Sequence, residues 1–369
     1  MMEQWYEVAN VDSIDSPALL VYPERIADNI RLLKKMVSED TNRLRPHVKT
    51  NKMIEVCKMM MDAGIEQFKC STIAEAEMLA LSNAKDVLMA YQPVGPKIER
   101  WMKLVQAYPN THFSCLLDNT HSIRELGSIA EKREMNLSVY LDIDLGMGRT
   151  GASVDQIESL LQCIEERKCL VLEGVHGYDG HISNSDPEVR EKESDAAYVL
   201  LKAAFDYLQP RCPYLLKMVI GGSPSFTSHA KRKNVTCSPG TFIFWDWGYR
   251  SRIPEQEFEY AAVLLMRVIS VLDGQHVCVD LGYKAVASDP PLQRVKFLNA
   301  DDATTVFQSE EHLVLSVNDS KQYPIGAVLY GIPTHICPTV ALYDRTYVIQ
   351  EHQNIATWQV IGRNRILNI

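Results

Sequence analysis

The feature that most constrains this chain is an alternation. Between about residues 44 and 225, short apolar runs take turns with amphipathic stretches of helical length. The runs are Leu44–Lys49, Gln67–Ser71, Asp86–Tyr91, His112–Asp118, Leu137–Leu145, Leu170–Tyr178 and Met218–Gly222. In the intervening Asn51–Ala63, residues Met53, Ile54, Cys57, Met60 and Met61 fall on one helical face. Gly64 then supplies a left-handed stop, and Thr72 with Glu75 forms a capping box for the next helix. Strand–helix units repeated in this way imply a parallel sheet, whose neighbours need crossover connections. With Thr241–Trp245 as an eighth strand, the α/β pattern suffices for a (β/α)8 TIM-type barrel. Alternation alone leaves an open doubly wound sheet as the alternative.

The pattern changes after about residue 256. Phe258–Leu272, His276–Asp280, Thr304–Phe307, His312–Val317, Ala327–Tyr330 and Tyr347–Ile349 read as strands separated by turns. The expected organisation is a barrel over 16–255 and a C-terminal β domain over 256–369. The net charge of −9 argues against a nucleic-acid surface, which needs a basic face. No apolar run approaches the roughly 18 residues of a membrane helix. The first dozen residues show neither the basic nor the apolar region of a signal peptide. Nine cysteines without a Cys-x-x-Cys pair point to reduced thiols in a cytoplasm.

Five places carry side chains suited to chemistry. In Leu44-Arg-Pro-His-Val-Lys-Thr50, a strand puts Arg45, His47 and Lys49 on one face. A lysine at the C-terminal end of a barrel strand faces the site. An amine desolvated there beside other cations loses its proton readily and can form a Schiff base. The alternative is an edge strand with exposed charges. Gly146, Gly148 and Gly151 match G-x-G-x-x-G after a strand, as in a dinucleotide site. Arg149 inside that loop instead suits an anionic cofactor oxygen. Gly221-Gly222-Ser223 and Ser238-Pro-Gly240-Thr241 are small-residue loops beside the seventh and eighth strands, where barrels hold phosphate; simple turns explain them equally. His176-Gly-Tyr178-Asp-Gly-His181 ends the sixth strand and offers a ring, a phenol and an acid or base. Finally, His335 and Cys337 share a face of an extended segment, and nitrogen plus sulfur suits zinc.

Taken in order, Arg45-Pro-His-Val-Lys-Thr, Ile73-Ala-Glu-Ala-Glu, Gly146-Met-Gly-Arg-Thr-Gly, Gly221-Gly-Ser, Pro239-Gly-Thr and His335-Ile-Cys resemble the D-threonine aldolase and eukaryotic-type D-serine dehydratase group. That group has the alanine-racemase-like fold, and the resemblance runs from about Asp15 to Arg363. It implies that Lys49 carries pyridoxal 5'-phosphate as a Schiff base, with Arg149 beside the ring and Tyr178 near it. Gly221, Gly222, Ser223, Gly240 and Thr241 would hold the phosphate. His335 and Cys337 would bind a divalent metal (zinc, manganese or magnesium) that meets the substrate hydroxyl and carboxylate. It also implies a homodimer, and a strand Ala18–Tyr22 that joins the C-terminal β domain.

Two departures bear on the reaction. The aldolases resemble His-x-Asp at the metal pair and the zinc-dependent dehydratases His-x-Cys, so Cys337 leans toward dehydration. Pro338–Asp344 and Ser309–His312 look more like the aldolase branch. Asn51 stands where a histidine often follows the Lys-Thr pair. The expected activity is a lyase acting on β-hydroxy D-amino acids, giving glycine and an aldehyde. Here the metal polarises the β-hydroxyl and His181 is the candidate base. The alternative is dehydration of D-serine to pyruvate and ammonia, with Lys49 taking the α-proton. A nicotinamide-dependent oxidoreductase and a non-catalytic pyridoxal-phosphate carrier are readings of other classes.

Overall fold

The computed structural model describes residues 4–369; Met1–Glu3, part of the N-terminal stretch read for a signal peptide, lie outside them. Among the described residues no helix is long and apolar enough to cross a membrane. The chain divides into two compact units, one containing Leu33–Lys49, Cys57–Gly240 and Asn364–Ile369, the other Thr50–Val56, Thr241–Arg363 and the N-terminal segment to Leu32.

The first unit is a barrel. Gln67–Cys70, Asp86–Met89, His112–Leu117, Leu137–Asp144, Leu170–Tyr178, Lys217–Ile220 and Thr236–Cys237 pair in that order, every ladder parallel. Closure comes from the segment Leu44–Val48, which bridges both edges of the sheet. Leu44 pairs with Cys237 and His47 with Lys69, both in parallel. Arg45 N–H donates to the Cys237 carbonyl at 2.8 Å and Val48 N–H to that of Lys69 at 2.9 Å. Pro46 has no N–H to give, so this eighth stave is not a regular strand. It accepts instead, from Lys69 N–H at 2.9 Å. Leu88, Leu116, Tyr140 and Val219, one from each of four strands, form an inner layer.

The expected eighth strand is corrected. Thr241–Ile243 is a single 3-10 turn, and the strand before it is Thr236–Cys237. Several helices start on short polar caps, Thr72, Asn119 and Asp186 among them. Thr72 Oγ1 accepts from Glu75 N–H at 3.0 Å, but the Glu75 carboxylate returns to Ser71 N–H at 2.7 Å, one residue earlier than a standard box. Gly64 takes its positive φ of 88° after Ile54–Asp62.

In the second unit, Ala262–Val271 is the central strand. It pairs antiparallel with Ala18–Val21, His276–Val279 and Val328–Pro333. Ala18–Val21 also pairs in parallel with Arg345–Gln350, so the N-terminal strand lies inside this sheet. Ala18, Leu20, Val263, Leu265, Tyr330, Ile332 and Ile349 form one buried cluster. Their two-residue spacing along each strand is the pleat of the sheet, and Leu19, Leu264 and Met266 are buried on its other face.

Candidate active site

A cavity of about 560 Å³ lies at the C-terminal ends of the barrel strands, the place where this architecture binds ligands. Lys49, Lys69, Gln92, Asp142, Arg149, His176 and Tyr178 are among its walls. Arg45, His47 and Lys49 prove to have different fates. Arg45 is fully buried and makes a two-armed ion pair with Asp86, at 2.7 and 2.9 Å. His47 and Lys49 line the cavity. The exposed edge-strand alternative therefore does not describe this segment.

Three cations surround the Tyr178 ring. Arg149 lies 5.1 Å from its centroid, Lys49 Nζ 5.4 Å and Lys69 Nζ 5.8 Å. Such a ring is a favourable neighbour for positive charge. Lys69 was not singled out in the sequence, yet it is 1% exposed and forms part of the wall. Its Nζ stands 3.3 Å from His176 Nε2, and His176 Nδ1 stands 2.7 Å from Asp142 Oδ1. Burial, then the charge of Lys69, keeps the His176 imidazole below its usual pKa despite Asp142. A lysine inside an apolar run was the available signal, because lysine is almost never buried without a purpose.

The glycine loop turns inward on itself. Gly146 and Gly148 N–H both donate to Asp144 Oδ1, at 3.0 and 3.1 Å. A Cβ on Gly151 would stand 2.4 Å from Asp144 N, so the loop must fold back against its own strand. Amides committed in this way are not offered to a pyrophosphate, which removes the physical basis of a dinucleotide fingerprint. His181 is exposed, rests near Gly146 and does not line the cavity.

The other small-residue loops are held from behind. Asp179, fully buried, accepts from Ser225 Oγ and pairs with His229 Nε2, both at 2.7 Å. Burial pushes the Asp179 carboxyl up, but these partners outweigh it and hold it low. Gly221 sits at φ 81°, and a Cβ there would stand 2.7 Å from the His229 ring. Gly240 N–H donates to Ser223 Oγ at 3.3 Å, joining the two loops. Beside them the buried Ser238 Oγ lacks a hydrogen-bond partner among the described residues. An unsatisfied hydroxyl between two glycine loops fits a phosphate, whose oxygens would supply the missing acceptor.

In the second unit, His335 and Cys337 are not in an extended segment. His335 precedes the short helix Ile336–Val340, and Cys337 is in its first turn. The buried Asp246 carboxylate fixes that turn by accepting from Ile336 N–H at 3.1 Å, and burial raises its pKa to about 6. Cys337 Sγ is 3.0 Å from Thr50 Oγ1 and 3.4 Å from Thr241 Oγ1. Thr241 therefore meets the thiol, and Thr50 is the residue that follows Lys49 in the chain. His335 Nδ1 is 2.5 Å from Asp289 Oδ2. Burial disfavours a charged imidazole here, yet Cys337 and Asp289 together push His335 up to about 9. The place thus favours positive charge between a thiol and a carboxylate. Among the described residues no group of three or more His, Cys, Asp or Glu is set to hold an ion. A two-ligand site with positions open to substrate or water fits this donor set.

Comparison with known proteins agrees with these features. The chain is 26% identical over 364 residues to the 3-hydroxy-D-aspartate aldolase of Paracoccus denitrificans, covering 95% of this chain and 93% of that one. It is 23% identical to the D-serine dehydratase of Dictyostelium discoideum, covering 94% and 96%. The crystal structure of D-threonine aldolase from Filomicrobium marinum superposes with a TM-score of 0.88 at 22% identity, over 96% of each chain. The fold is alanine-racemase-like, a parallel barrel with a separate antiparallel sheet. Residues 261–349 match the putative serine dehydratase domain, and residues 21–246, more than half the chain, match the alanine racemase N-terminal domain, so the protein belongs to that family.

Proposed function

We propose that this chain is a pyridoxal-phosphate- and divalent-metal-dependent lyase that cleaves β-hydroxy D-amino acids to glycine and an aldehyde. The observation that carries the reading is Lys49, half-buried on the cavity wall beside the Tyr178 ring and Arg149. Pyridoxal phosphate supplies an electron sink for the bond that breaks at Cα. Lys49 would hold the cofactor covalently, with Arg149 and Tyr178 beside its ring. Gly221, Gly222, Ser223, Gly240 and Thr241 would hold the phosphate. His335 and Cys337 would hold the metal against the substrate's hydroxyl, with Asp289 orienting the imidazole. Nine cysteines without a Cys-x-x-Cys pair support a cytoplasmic setting, and the likeness to the aldolase and dehydratase group supports a homodimer.

A second reading, dehydration of D-serine to pyruvate and ammonia, is favoured by one residue, the Cys337 thiol. Product analysis decides between the two. With D-threonine, pyridoxal phosphate and a divalent metal, glycine plus acetaldehyde is expected. 2-Oxobutyrate plus ammonia would establish the dehydratase instead. No product from D-threonine or D-serine, or a Lys49→Ala protein that keeps the visible absorbance of the lysine-bound cofactor, would refute the assignment.

A further inference from the structure

We infer that Lys69 is a second catalytic amine of this cavity, the group that carries a proton to and from the bound substrate, with His176 and Asp142 holding it in place. The inference rests on the lyase reading and adds a residue that the reading does not use. Lys69 projects from Gln67–Cys70 into the barrel, where bulk water does not reach it, yet it forms part of the cavity wall. Its Nζ is 3.3 Å from His176 Nε2 and 3.5 Å from the Gly221 carbonyl. Among the described residues no carboxylate lies at hydrogen-bond distance from it; Asp142 is linked to it by hydrogen bonding through the His176 ring. Asp142 is itself fixed, accepting from Thr150 Oγ1 at 3.0 Å and from Gln92 Nε2 at 3.3 Å.

The charged groups facing Lys69 are Lys49 and Arg45 from the closing segment, Asp142 from the strand Leu137–Asp144, and His176 and Asp179 at the end of the strand Leu170–Tyr178. Burial first, then repulsion from Lys49, brings the amine down to about 7 against the pull of the two aspartates. An ordinary lysine near 10.4 is fully protonated at neutral pH. An amine near 7 exchanges its proton there with little driving force wasted, which is what a general acid–base group requires.

The proton balance of the cleavage suits a single carrier. The O–H and Cα–Cβ bonds of the substrate break, and the aldehyde C=O and the Cα–H of glycine form. The Nζ takes the hydroxyl proton as the Cα–Cβ bond opens and returns it to Cα, so the amine ends as it began. The exposed His181 is not needed for this transfer.

Arginine separates this role from that of a fixed cation, because its guanidinium keeps the charge but does not lose a proton. In holoenzyme, both Lys69→Arg and Lys69→Met should lower kcat/KM for D-threonine by about 100-fold or more. The limb of the pH profile near 7 should vanish in each, while the visible band of the Lys49-bound cofactor persists. Independently of turnover, 13Cε-lysine NMR of the protein without cofactor should show one resonance, absent in Lys69→Met, that titrates near pH 7. A Lys69→Arg enzyme with wild-type kcat/KM and pH profile overturns the inference. So does an active enzyme in which Lys69 stays charged at pH 9, and that result leaves the lyase reading intact. A wild-type protein that holds the cofactor but yields no product overturns the lyase reading, and this role with it.

Discussion

Removal of one partner of the Arg45–Asp86 pair should cost the barrel about 3–5 kcal/mol, since it strands a buried charge. Arg45 has no exposed side-chain surface and Asp86 keeps 16% of its own. Asp86→Asn keeps the shape but removes the charge that answers the guanidinium; Gln67 Oε1, at 2.8 Å, remains as a neutral partner. For a unit of about 200 residues each kcal/mol shifts Tm by about 2–4 °C, so a fall of about 6–20 °C is expected. The assay is thermal unfolding followed by circular dichroism. Its pH dependence has a defined sign. Burial works to raise the Asp86 carboxyl, but Arg45, with Lys217 and His112, outweighs it and holds the folded value below the ordinary one. Stabilisation is therefore present above the unfolded value near 4 and lost as pH falls through the lower folded value. The gap between wild type and variant should be constant above about pH 5 and close below about pH 4. Replacing both partners, as Arg45→Met with Asp86→Leu, should recover part of the loss, because no buried charge is left unanswered. A double variant as unstable as the two single losses combined, or an Asp86→Asn protein that melts like wild type, would refute the reasoning.

Two further outcomes test the cofactor and metal assignments. Gly221→Ala puts a Cβ 2.7 Å from the His229 ring at φ 81°, a strain of about 1–3 kcal/mol. Pyridoxal-phosphate affinity, read by absorbance titration, should weaken about 10-fold, and unchanged affinity would remove the loop from the phosphate site. Asp289→Asn should weaken zinc binding by about 10–100-fold, as loss of an orienting partner typically does, and Cys337→Ala should weaken it further. Equal zinc content after dialysis in all three proteins would rule out a metal at His335 and Cys337.

The barrel was legible because its strands are buried on both faces and its helices on one, so the two periods stand out. Legibility failed where backbone chemistry overrides pattern. Phe242-Ile-Phe-Trp reads as a strand because it is apolar, but Trp245 adopts φ 51° and the run is a buried turn. The strand that pairs there, Thr236–Cys237, is two residues long and carries no periodic signal. Gln353–Gln359 escaped for the opposite reason: no side chain along it is fully buried. Its hairpin turn is Glu351-His352, both at positive φ, in place of the Asn-Gly that would have marked it. The helix at Ile336 is fixed by Asp246, ninety residues away in sequence, which local reading of Pro-Thr-His-Ile-Cys-Pro has no means of anticipating.

The six residues from His176 to His181 show how one strand end can serve several purposes. Side chains alternate across a strand, so His176 and Tyr178 both reach the cavity while Asp179 turns away from it. Both oxygens of Asp179 are occupied, one by Ser225 and one by His229, and it has no exposed surface. A carboxylate so buried, and absent from the cavity wall, can position the Gly221 loop but does not meet a substrate proton. Asp142 is also well bonded, but the imidazole it holds meets a lysine on the cavity wall. The two carboxylate–imidazole pairs are chemically alike and differ in what lies at their far ends. That difference suits Asp179 and His229 to holding the Gly221 loop, and leaves Lys69, with His176 behind it, as the single proton carrier proposed above.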